Sequence, residues 1–344
     1  MNKVHIAIFK PAIISIISIF LSLITGGIIL LAIGKDPVLY FNLLFVRGMG
    51  TSLGVIESII KMTPLLIISA GLLTCFSAGL WNIGTEGQFL IGAMLAGWAA
   101  PLLSDILSLP IYIVAIALLG IIGGMVWILI PAILKARYDI NEIITTLMMS
   151  WVAISLVTWL VKGPINDLSV VPAQTTLIPD TYRMPMIPWT RIHIGLIIGV
   201  VALFGMHWVI RRTTIGYQFR VMLGNKTAAR HSGMKVPHLT VYGLLISGGF
   251  AGLAGVSDVL AIKGLFQASW NPQYGMTAIP LVFLARLNGW AVIPLAFFFS
   301  FLAVGGEFVA RDLGVPVFFV HVLEGLTLLF FATSEYFEKR WMPT

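Results

Sequence analysis

The sequence predicts an all-α, polytopic membrane protein with about ten transmembrane helices and with both termini on the cytoplasmic side. The first observation behind this prediction is composition: 58% of the 344 residues are hydrophobic and only 10% are charged, against roughly 25% charged in an ordinary soluble domain. The second is the recurrence of apolar runs of about 20 residues, the length that crosses a bilayer. No long polar domain interrupts these runs, so we expect a single transmembrane domain over residues 1–344.

Ten apolar segments are candidate transmembrane helices, and the eighth is the shortest. They cover residues 12–33, 56–79, 87–104, 109–132, 141–161, 193–210, 239–261, 274–286, 290–309 and 315–333. When the N-terminus is placed in the cytoplasm, most lysines and arginines also fall on the cytoplasmic side, as the positive-inside rule requires. An even number of crossings places the basic end around Lys339 and Arg340 inside as well.

Two connections are long enough to meet other molecules. Residues 163–191 form an external loop in this topology, and five prolines stiffen it: Pro164, Pro172, Pro179, Pro185 and Pro188. Residues 211–238 form an internal, basic loop.

The charges and motifs exclude several classes of protein. The net charge of +7 is spread through short loops between apolar runs, so membrane orientation explains it better than nucleic-acid binding does. The single cysteine, Cys75, excludes an internal disulfide framework and a cysteine metal cluster. Residues 224–227 resemble only the end of a phosphate-binding G-x-x-x-x-G-K-[ST] loop. The sequence also lacks H-E-x-x-H and G-x-S-x-G, so we expect neither an enzyme nor a bound metal or cofactor.

Small residues recur at four-residue spacing in two of the predicted helices. The pairs are Gly120 with Gly124, Gly248 with Gly252, and Ala251 with Gly255. Such spacing lets helix backbones approach closely. We favour tight packing within one subunit over a dimer interface.

The segment 81–88 places polar side chains between two apolar runs. It contains Asn82, Thr85, Glu86 and Gln88, and polar groups inside a membrane usually face an interior or a cavity. Asn82 and Glu86 are four residues apart, so a helix would place them on one face. The alternative is a tight cytoplasmic turn whose acidic residue caps the next helix. Composition alone leaves both interpretations open.

Polar groups near or within predicted spans also occur at three other places in the chain. Asn141 and Glu142 begin the fifth span, where helix capping explains them as well as a functional role does. Asp258 lies near the outer end of the seventh span, and we expect a solvated helix end. His321 and Glu324 are three apart on one helical face, which predicts a structural pair or, alternatively, a proton relay.

The internal loop contains a short candidate helix. Asn225 or Thr227 can cap its start, and Gly233 can end it. A compact capped helix on the cytoplasmic face is suited to receive force from a partner, although an ordinary amphipathic connector has the same composition.

Four segments resemble one family. Residues 82–88 look like the N-I-G-x-E-G-Q signature of permease subunits of bacterial ABC importers for nucleosides and simple sugars, the branched-chain amino acid and ribose type. Residues 134–148 resemble that family's L-K-A…N-E-x-I-x-T-x-M segment. Residues 216–233 resemble its cytoplasmic G-x-x-x-R-x-x-G-x-N-x-x-A-A-x-x-x-G stretch, and residues 247–255 its S-G-x-x-A-G-x-A-G run. These collinear matches fall between about residues 60 and 310 and are specific as a set.

The resemblance implies an assembly in the bacterial cytoplasmic (inner) membrane. Two permease subunits would form one path, two ATPase subunits holding ATP and Mg²⁺ would dock inside, and a substrate-binding protein would dock outside, against the loop 163–191. It implies that coupling to the ATPase runs through the residues Gly224, Asn225, Ala228, Ala229, Arg230 and Gly233. Our candidate path residues are Asn82, Thr85, Glu86, Gln88, Asn141 and Glu142.

The polar path residues would suit a neutral, hydroxyl-rich solute, a nucleoside or simple sugar above all. Departures from the family pattern at Trp81, Thr85 and residues 148–151 leave the solute itself open. Two other classes compete with the permease. An ion-coupled secondary transporter would use the pair His321 and Glu324 as its relay. A membrane-embedded enzyme would need a nucleophile and base at motif spacing, which the sequence does not show.

Overall fold

The computed structural model describes the backbone of residues 2–341 and the side chains of residues 15–334. Met1 and residues 342–344, to which the predicted placement of the two termini applies, lie outside the described residues. The described α-helices are α1 Asn2–Ala32, α2 Pro37–Gly48, α3 Ser52–Ser77, α4 Thr85–Leu103, α5 Leu109–Tyr138, α6 Glu142–Lys162, α7 Gly195–Arg212, α8 Thr214–Gly224, α9 Lys226–His231, α10 Val236–Asp258, α11 Tyr274–Leu284, α12 Gly289–Leu313 and α13 Phe319–Trp341. A π-helical turn, Val259–Lys263, continues α10.

Seven helical stretches in the described part of the chain are long and apolar enough to cross a membrane. They are Ser15–Ala32, Ser52–Ser77, Leu109–Tyr138, Glu142–Lys162, Gly195–Arg212, Val236–Lys263 and Gly289–Leu313. Helix α4 is not among them, and its first turn carries Glu86 and Gln88. Helix α11 and the described apolar part of α13 are shorter. The prediction of an all-helical, polytopic membrane protein is therefore confirmed.

Helix α2 was not anticipated from the sequence. It begins at a cap in which the Asp36 carboxylate accepts from the backbone N–H of Val38 at 2.8 Å, and Pro37 occupies its first position. A side-chain acceptor followed by proline is a strong start signal for a helix. With only 12 residues, one of them Arg47, α2 does not have the length and composition of a membrane span.

One compact unit contains the described residues up to 62, residues 280–287 and the described residues from 291 onwards. In it, the hydroxyl of Ser22 on α1 donates to the carbonyl of Leu323 on α13 at 2.7 Å. The Tyr40 ring of α2 meets the Phe319 ring edge-on at 5.3 Å. Lys61 of α3 forms an ion pair with Glu307 of α12 at 2.5 Å, and this pairing stabilises two charged groups within predicted spans.

The second compact unit contains residues 63–279 and 288–290. Its centre is the packing of α4, α5 and α10. An added Cβ at Gly124 of α5 would clash with the carbonyl oxygen of Gly248 on α10, and one at Gly252 with the carbonyl of Gly120. Gly255 meets the backbone of Phe89 on α4 in the same way. The predicted close packing by small residues within one subunit is confirmed.

Candidate functional site

The segment 81–88 lies at a buried break between α3 and α4. Helix α3 ends at Ser77, and α4 begins at Thr85. The side chains of Asn82, Thr85, Glu86 and Gln88 are at most 3% exposed. Asn82 precedes the helix, so of the two interpretations left open by the sequence the structure agrees with a turn and not with a continuous helix that carries Asn82 and Glu86 on one face. The break is a turn whose polar groups are withdrawn from solvent.

Two amides of this segment pair with each other. Asn82 Nδ2 donates to Gln88 Oε1 at 2.8 Å, and Gln88 Nε2 donates back to Asn82 Oδ1 at 3.1 Å. Asn82 Nδ2 also donates to Ser247 Oγ of α10 at 2.9 Å, and Asn82 Oδ1 accepts from the N–H of Gly84 at 3.0 Å. Buried polar groups are costly unless they are hydrogen-bonded. This amide network therefore holds the broken chain in one conformation.

Helix α6 supplies hydroxyl groups to the same turn. Thr146 Oγ1 accepts from the N–H of Ile83 at 3.2 Å and Ser150 Oγ from the N–H of Gly87 at 3.2 Å. Glycine is required here, because a Cβ at Gly84 would lie 2.7 Å from the Thr146 carbonyl oxygen. Thr146 and Ser150 were not among the predicted site residues. The available signal was that Glu142, Thr146 and Ser150 follow one another at four-residue spacing, which places them on one face of α6.

A carboxylate joins the first turns of two helices. Glu86 Oε2, in the first turn of α4, accepts from the N–H of Gly275 in the first turn of α11 at 2.7 Å. The hydroxyl of Thr85 donates to the Gly275 carbonyl at 3.2 Å. Helix N-termini carry partial positive charge and favour an anion. The arrangement therefore stabilises a buried negative charge where α4 and α11 begin.

The chain that leads into α11 carries an aromatic cluster beside Glu86. Phe89 of α4 meets the rings of Tyr274 at 5.6 Å and Trp270 at 6.1 Å, and Phe266 meets Trp270 at 5.7 Å. The Lys263 ammonium lies 5.1 Å from the centre of the Trp270 ring. Aromatic faces of this kind can stack on nucleobases or on the apolar face of a sugar.

The same segment is paired with the proline-rich loop. The N–H of Thr175 donates to the Phe266 carbonyl at 2.9 Å, and the N–H of Ile178 donates to the Gly264 carbonyl at 2.8 Å. The Thr175 hydroxyl accepts from the N–H of Phe266 at 2.9 Å. A continuous stretch of chain therefore connects the loop 163–191 to the hydrogen bond between Glu86 and Gly275.

Asn141 and Glu142 lie outside the amide network. Asn141 is exposed and caps α6 by accepting from the N–H of Ile143 at 2.9 Å. Glu142 is 6% exposed and pairs with Lys135 at 3.1 Å, while Lys135 also binds Asp139 at 2.7 Å. The hydrogen bond from Lys135 holds the pKa of Asp139 below its usual range. These contacts are those of a cap and an ion pair, and a path role for both residues stays a prediction.

The predicted short helix in the internal loop is confirmed as α9. Asn225 Oδ1 accepts from the N–H groups of Thr227 and Ala228 at 2.9 and 3.0 Å. Gly233 follows the helix with a φ of 80°, the left-handed conformation that ends a helix. Ala229 is fully buried, against a cluster that includes Leu80, Phe219 and Met222. The next residue, Arg230, is exposed.

Two remaining polar predictions have different outcomes. His321 Nδ1 lies 3.1 Å from Glu324 Oε2, as predicted for residues on one helical face. Asp258 is only 1% exposed, so the prediction of a solvated helix end is wrong. The chain continues past Asp258 as a π-helical turn instead of ending in solvent, which buries the carboxylate.

The sequence also matches a known protein family. Residues 54–332 match the family described as a branched-chain amino acid transport system, permease component. Three relatives extend over nearly the whole chain. A glucose ABC transporter permease protein of Haloferax volcanii is 32% identical over 94% of this chain and 88% of its own length.

The other two of these relatives have lower sequence identity and similar coverage. A guanosine ABC transporter permease protein of Bacillus subtilis is 28% identical over 93% of both chains. A nucleoside ABC transporter permease protein of Lactococcus lactis subsp. cremoris is 25% identical over 94% of this chain and 92% of its own. The similarity thus includes the break between α3 and α4, helix α9 and the α11 region together.

Proposed function

The chain belongs to the family of permease components of ABC transport systems, and from this premise we propose that it forms the path for a nucleoside or a simple sugar. It is a transporter subunit of an ABC importer and not an enzyme; in such systems ATP hydrolysis belongs to a separate ATPase subunit. ATP and Mg²⁺ are therefore assigned to that partner, and no cofactor is assigned to this chain.

The observation that carries the choice of solute is the buried polar turn at residues 82–88. Its side chains are amides and hydroxyls that both donate and accept, together with one carboxylate, Glu86. Groups of this type recognise hydroxyl-rich neutral solutes without requiring a counter-charge. Relatives named for glucose, guanosine and nucleosides agree with this class.

The aromatic cluster around Trp270 supports a solute with a flat or apolar face. Trp270 is partly exposed and its neighbours Phe89 and Tyr274 lie beside Glu86. A nucleobase or a pyranose ring could stack on the exposed part of Trp270, next to the buried polar turn. We therefore extend the candidate path from Asn82, Thr85, Glu86 and Gln88 to the start of α11.

We further propose ten crossings with both termini in the cytoplasm. The seven apolar stretches supply seven crossings, and α4, α13 and the segment formed by residues 264–287 supply the others. The loop 163–191 then lies outside, and helices α8 and α9 lie inside. ATPase subunits and a substrate-binding protein are the partners of this family; a second permease subunit and the bilayer of the bacterial inner membrane complete our proposed assembly, with no role for nucleic acid.

Helix α9 is the proposed contact with the ATPase. Its buried Ala229 packs into the hydrophobic cluster described above, while Ala228 and Arg230 are exposed. The flanking residues Gly224, Asn225 and Gly233 fix where the helix begins and ends. Movement of an ATPase against α9 would therefore reach the cluster below it directly.

The experiment that tests the function uses the protein together with the partners that co-purify from detergent-solubilised membranes. Reconstitution into liposomes with ATP inside allows uptake of radiolabelled guanosine and glucose to be compared. We expect uptake of one of them that requires ATP and the binding protein. Uptake driven by an ion gradient without an ATPase would contradict the proposal and direct attention to His321 and Glu324.

A further inference from the structure

A surface groove lies where α5, α8 and α10 meet. It consists of a cavity of about 580 Å³ and a neighbouring one of about 230 Å³, and both are lined by His238 and Tyr242. The larger cavity follows the turn that ends α9, because Ser232 and Gly233 line it. None of the residues assigned above to the path lies in this groove.

The two parts of the groove differ in chemistry. The larger part is the more polar of the two, with Gln218, Ser232, Lys235 and His238 in its wall. The smaller part is mainly apolar, with Ile133, Ala136 and Val241 in its wall. An occupant that fills both parts must therefore be amphipathic, with a polar end near Lys235 and an apolar end beside α5.

The groove also lies at the ends of two spanning stretches. Helix α5 approaches it with its last turns, and His238 and Tyr242 stand in the first two turns of α10. Further along α5, Ile130 is 56% exposed, which marks an apolar face that continues away from the groove. Tyrosines concentrate at the boundary between membrane and water, and both Tyr217 and Tyr242 are more than half exposed here.

The charge of the groove has one sign. Lys235 and His238 line the polar part, Arg137 lines the apolar part, and the residues that form the two cavities include no aspartate or glutamate. The nearest acidic residue in sequence, Asp139, is bound to Lys135. Basic pockets between transmembrane helices on the cytoplasmic side attract anionic lipid headgroups.

We propose that this groove binds one anionic phospholipid. The phosphate lies between Lys235, His238 and Arg137, and an acyl chain follows the exposed face of α5 past Ile133. An acidic segment of the ATPase would satisfy the charges but not the apolar part, which is why the lipid is favoured. Because Ser232 and Gly233 end α9, the bound lipid lies against the proposed coupling helix, and transport should depend on anionic lipid.

Native mass spectrometry of the purified complex tests this proposal with phosphatidylglycerol and phosphatidylcholine of identical acyl chains. We expect one phosphatidylglycerol to be retained in preference to phosphatidylcholine. Each of Lys235→Gln and Arg137→Gln should weaken that preference about fivefold, the effect of one basic residue at an anionic surface. Lys162→Gln, which removes an exposed lysine at the end of α6, is the matched control and should change nothing.

A photoreactive phosphatidylglycerol gives a second measurement that needs no variant. Labelling of peptides within residues 214–242 of the wild-type complex would support the proposal. Equal retention of the two lipids, or equal effects of Lys162→Gln and Lys235→Gln, would overturn it. Loss of the ATPase subunit from the Lys235→Gln complex, with lipid retention unchanged, would also overturn it and assign the groove to the ATPase.

Discussion

The Glu86 carboxylate accepts a hydrogen bond at 2.7 Å from the backbone N–H of Gly275, a residue 189 positions further along the chain. Both residues stand in the first turn of a helix, α4 and α11 respectively. The contact leaves no room for a side chain at 275, because a Cβ there would lie 2.8 Å from the Glu86 Cα atom. This carboxylate therefore fixes the position of the start of α11 relative to the start of α4.

Replacing Glu86 by glutamine should reduce transport while leaving assembly with the ATPase unchanged. Glutamine keeps an acceptor for the Gly275 N–H but removes the charge that the two helix N-termini stabilise. The difference between a charged and a neutral hydrogen bond is about 1 kcal/mol, so we expect uptake to fall about fivefold. The measurement is initial uptake in liposomes, with ATPase co-purification as the readout of assembly.

Glu57→Gln makes the same chemical change on α3, at a partly exposed carboxylate. It should leave uptake near the wild-type rate. Unchanged uptake in Glu86→Gln would show that the charge of Glu86 is not needed for transport, and would leave the 82–88 segment with a structural role only, as a turn and the start of α4.

Replacing Gly252 by alanine should destabilise the packing of α5 against α10. The added methyl group would meet the carbonyl oxygen of Gly120, which cannot move aside as a side chain could. Overpacking of this kind costs about 1–3 kcal/mol. Thermal unfolding in detergent, followed by loss of the monodisperse peak in size-exclusion chromatography, should show a lower midpoint.

The matched control is Gly205→Ala on α7, where an added Cβ has no neighbour within 4 Å among the described residues. This variant should unfold at or slightly above the wild-type temperature, because alanine favours a helix over glycine. Equal midpoints for the two variants would show that the α5–α10 contact tolerates a methyl group.

Reversing the charge at Arg230 should abolish transport without preventing membrane insertion. The residue is exposed on α9 and is not part of the hydrophobic cluster that holds Ala229, so its substitution leaves that cluster intact. We expect Arg230→Glu to lose the ATPase on purification, because a reversed charge at a contact repels the partner. Arg230→Lys keeps the charge and should retain both the subunit and most uptake; normal uptake in Arg230→Glu would remove α9 from the coupling route.

Acid should destabilise the chain through His193. This side chain is 2% exposed, and neither ring nitrogen has a hydrogen-bond partner among the described residues. Burial lowers the pKa of His193 to about 4 from 6.5. The unfolded chain therefore binds a proton below pH 6.5 that the folded chain excludes until about pH 4, so stability falls as the pH drops through that window.

The shift corresponds to a loss of up to about 3 kcal/mol. Unfolding midpoints measured between pH 7.5 and 4.5 should fall in the wild type and fall less in His193→Phe, which remains uncharged. His231→Gln removes an exposed histidine and should follow the wild type. The same slope in His193→Phe and the wild type would assign the acid sensitivity to other groups.

Much of the helical architecture could be predicted because apolar length is a local property. The spans around α3, α5, α6 and α10 needed only runs of mainly apolar residues, and the glycine spacing of α5 and α10 indicated their close contact. Helix α2 was missed because it is short and contains Arg47. Asp258 was misplaced because the sequence does not show that the helix continues as a π-helical turn.

The candidate site was predicted only in its local half. The residues of the 82–88 segment stood out as polar groups between apolar runs, but Ser247 and Gly275 belong to distant helices. Gly275 acts through its backbone N–H, which every residue except proline carries, so residue type gives almost no signal. The weak clue was the eighth apolar segment, which follows Asn271 and Pro272 and is too short to cross a membrane as a helix by itself.

The backbone contacts among α4, α5 and α10 set the spacing of these helices by main-chain atoms. Side chains can change rotamer and let helices slide, whereas a carbonyl resting on a glycine Cα offers no such freedom. We therefore expect the three helices, held by Gly248 and Gly252, to move as one rigid body. If the proposed permease alternates access, we expect the other helices to move around these three, with the motion taken up by connections outside the hydrogen-bonded turn, such as residues 264–273.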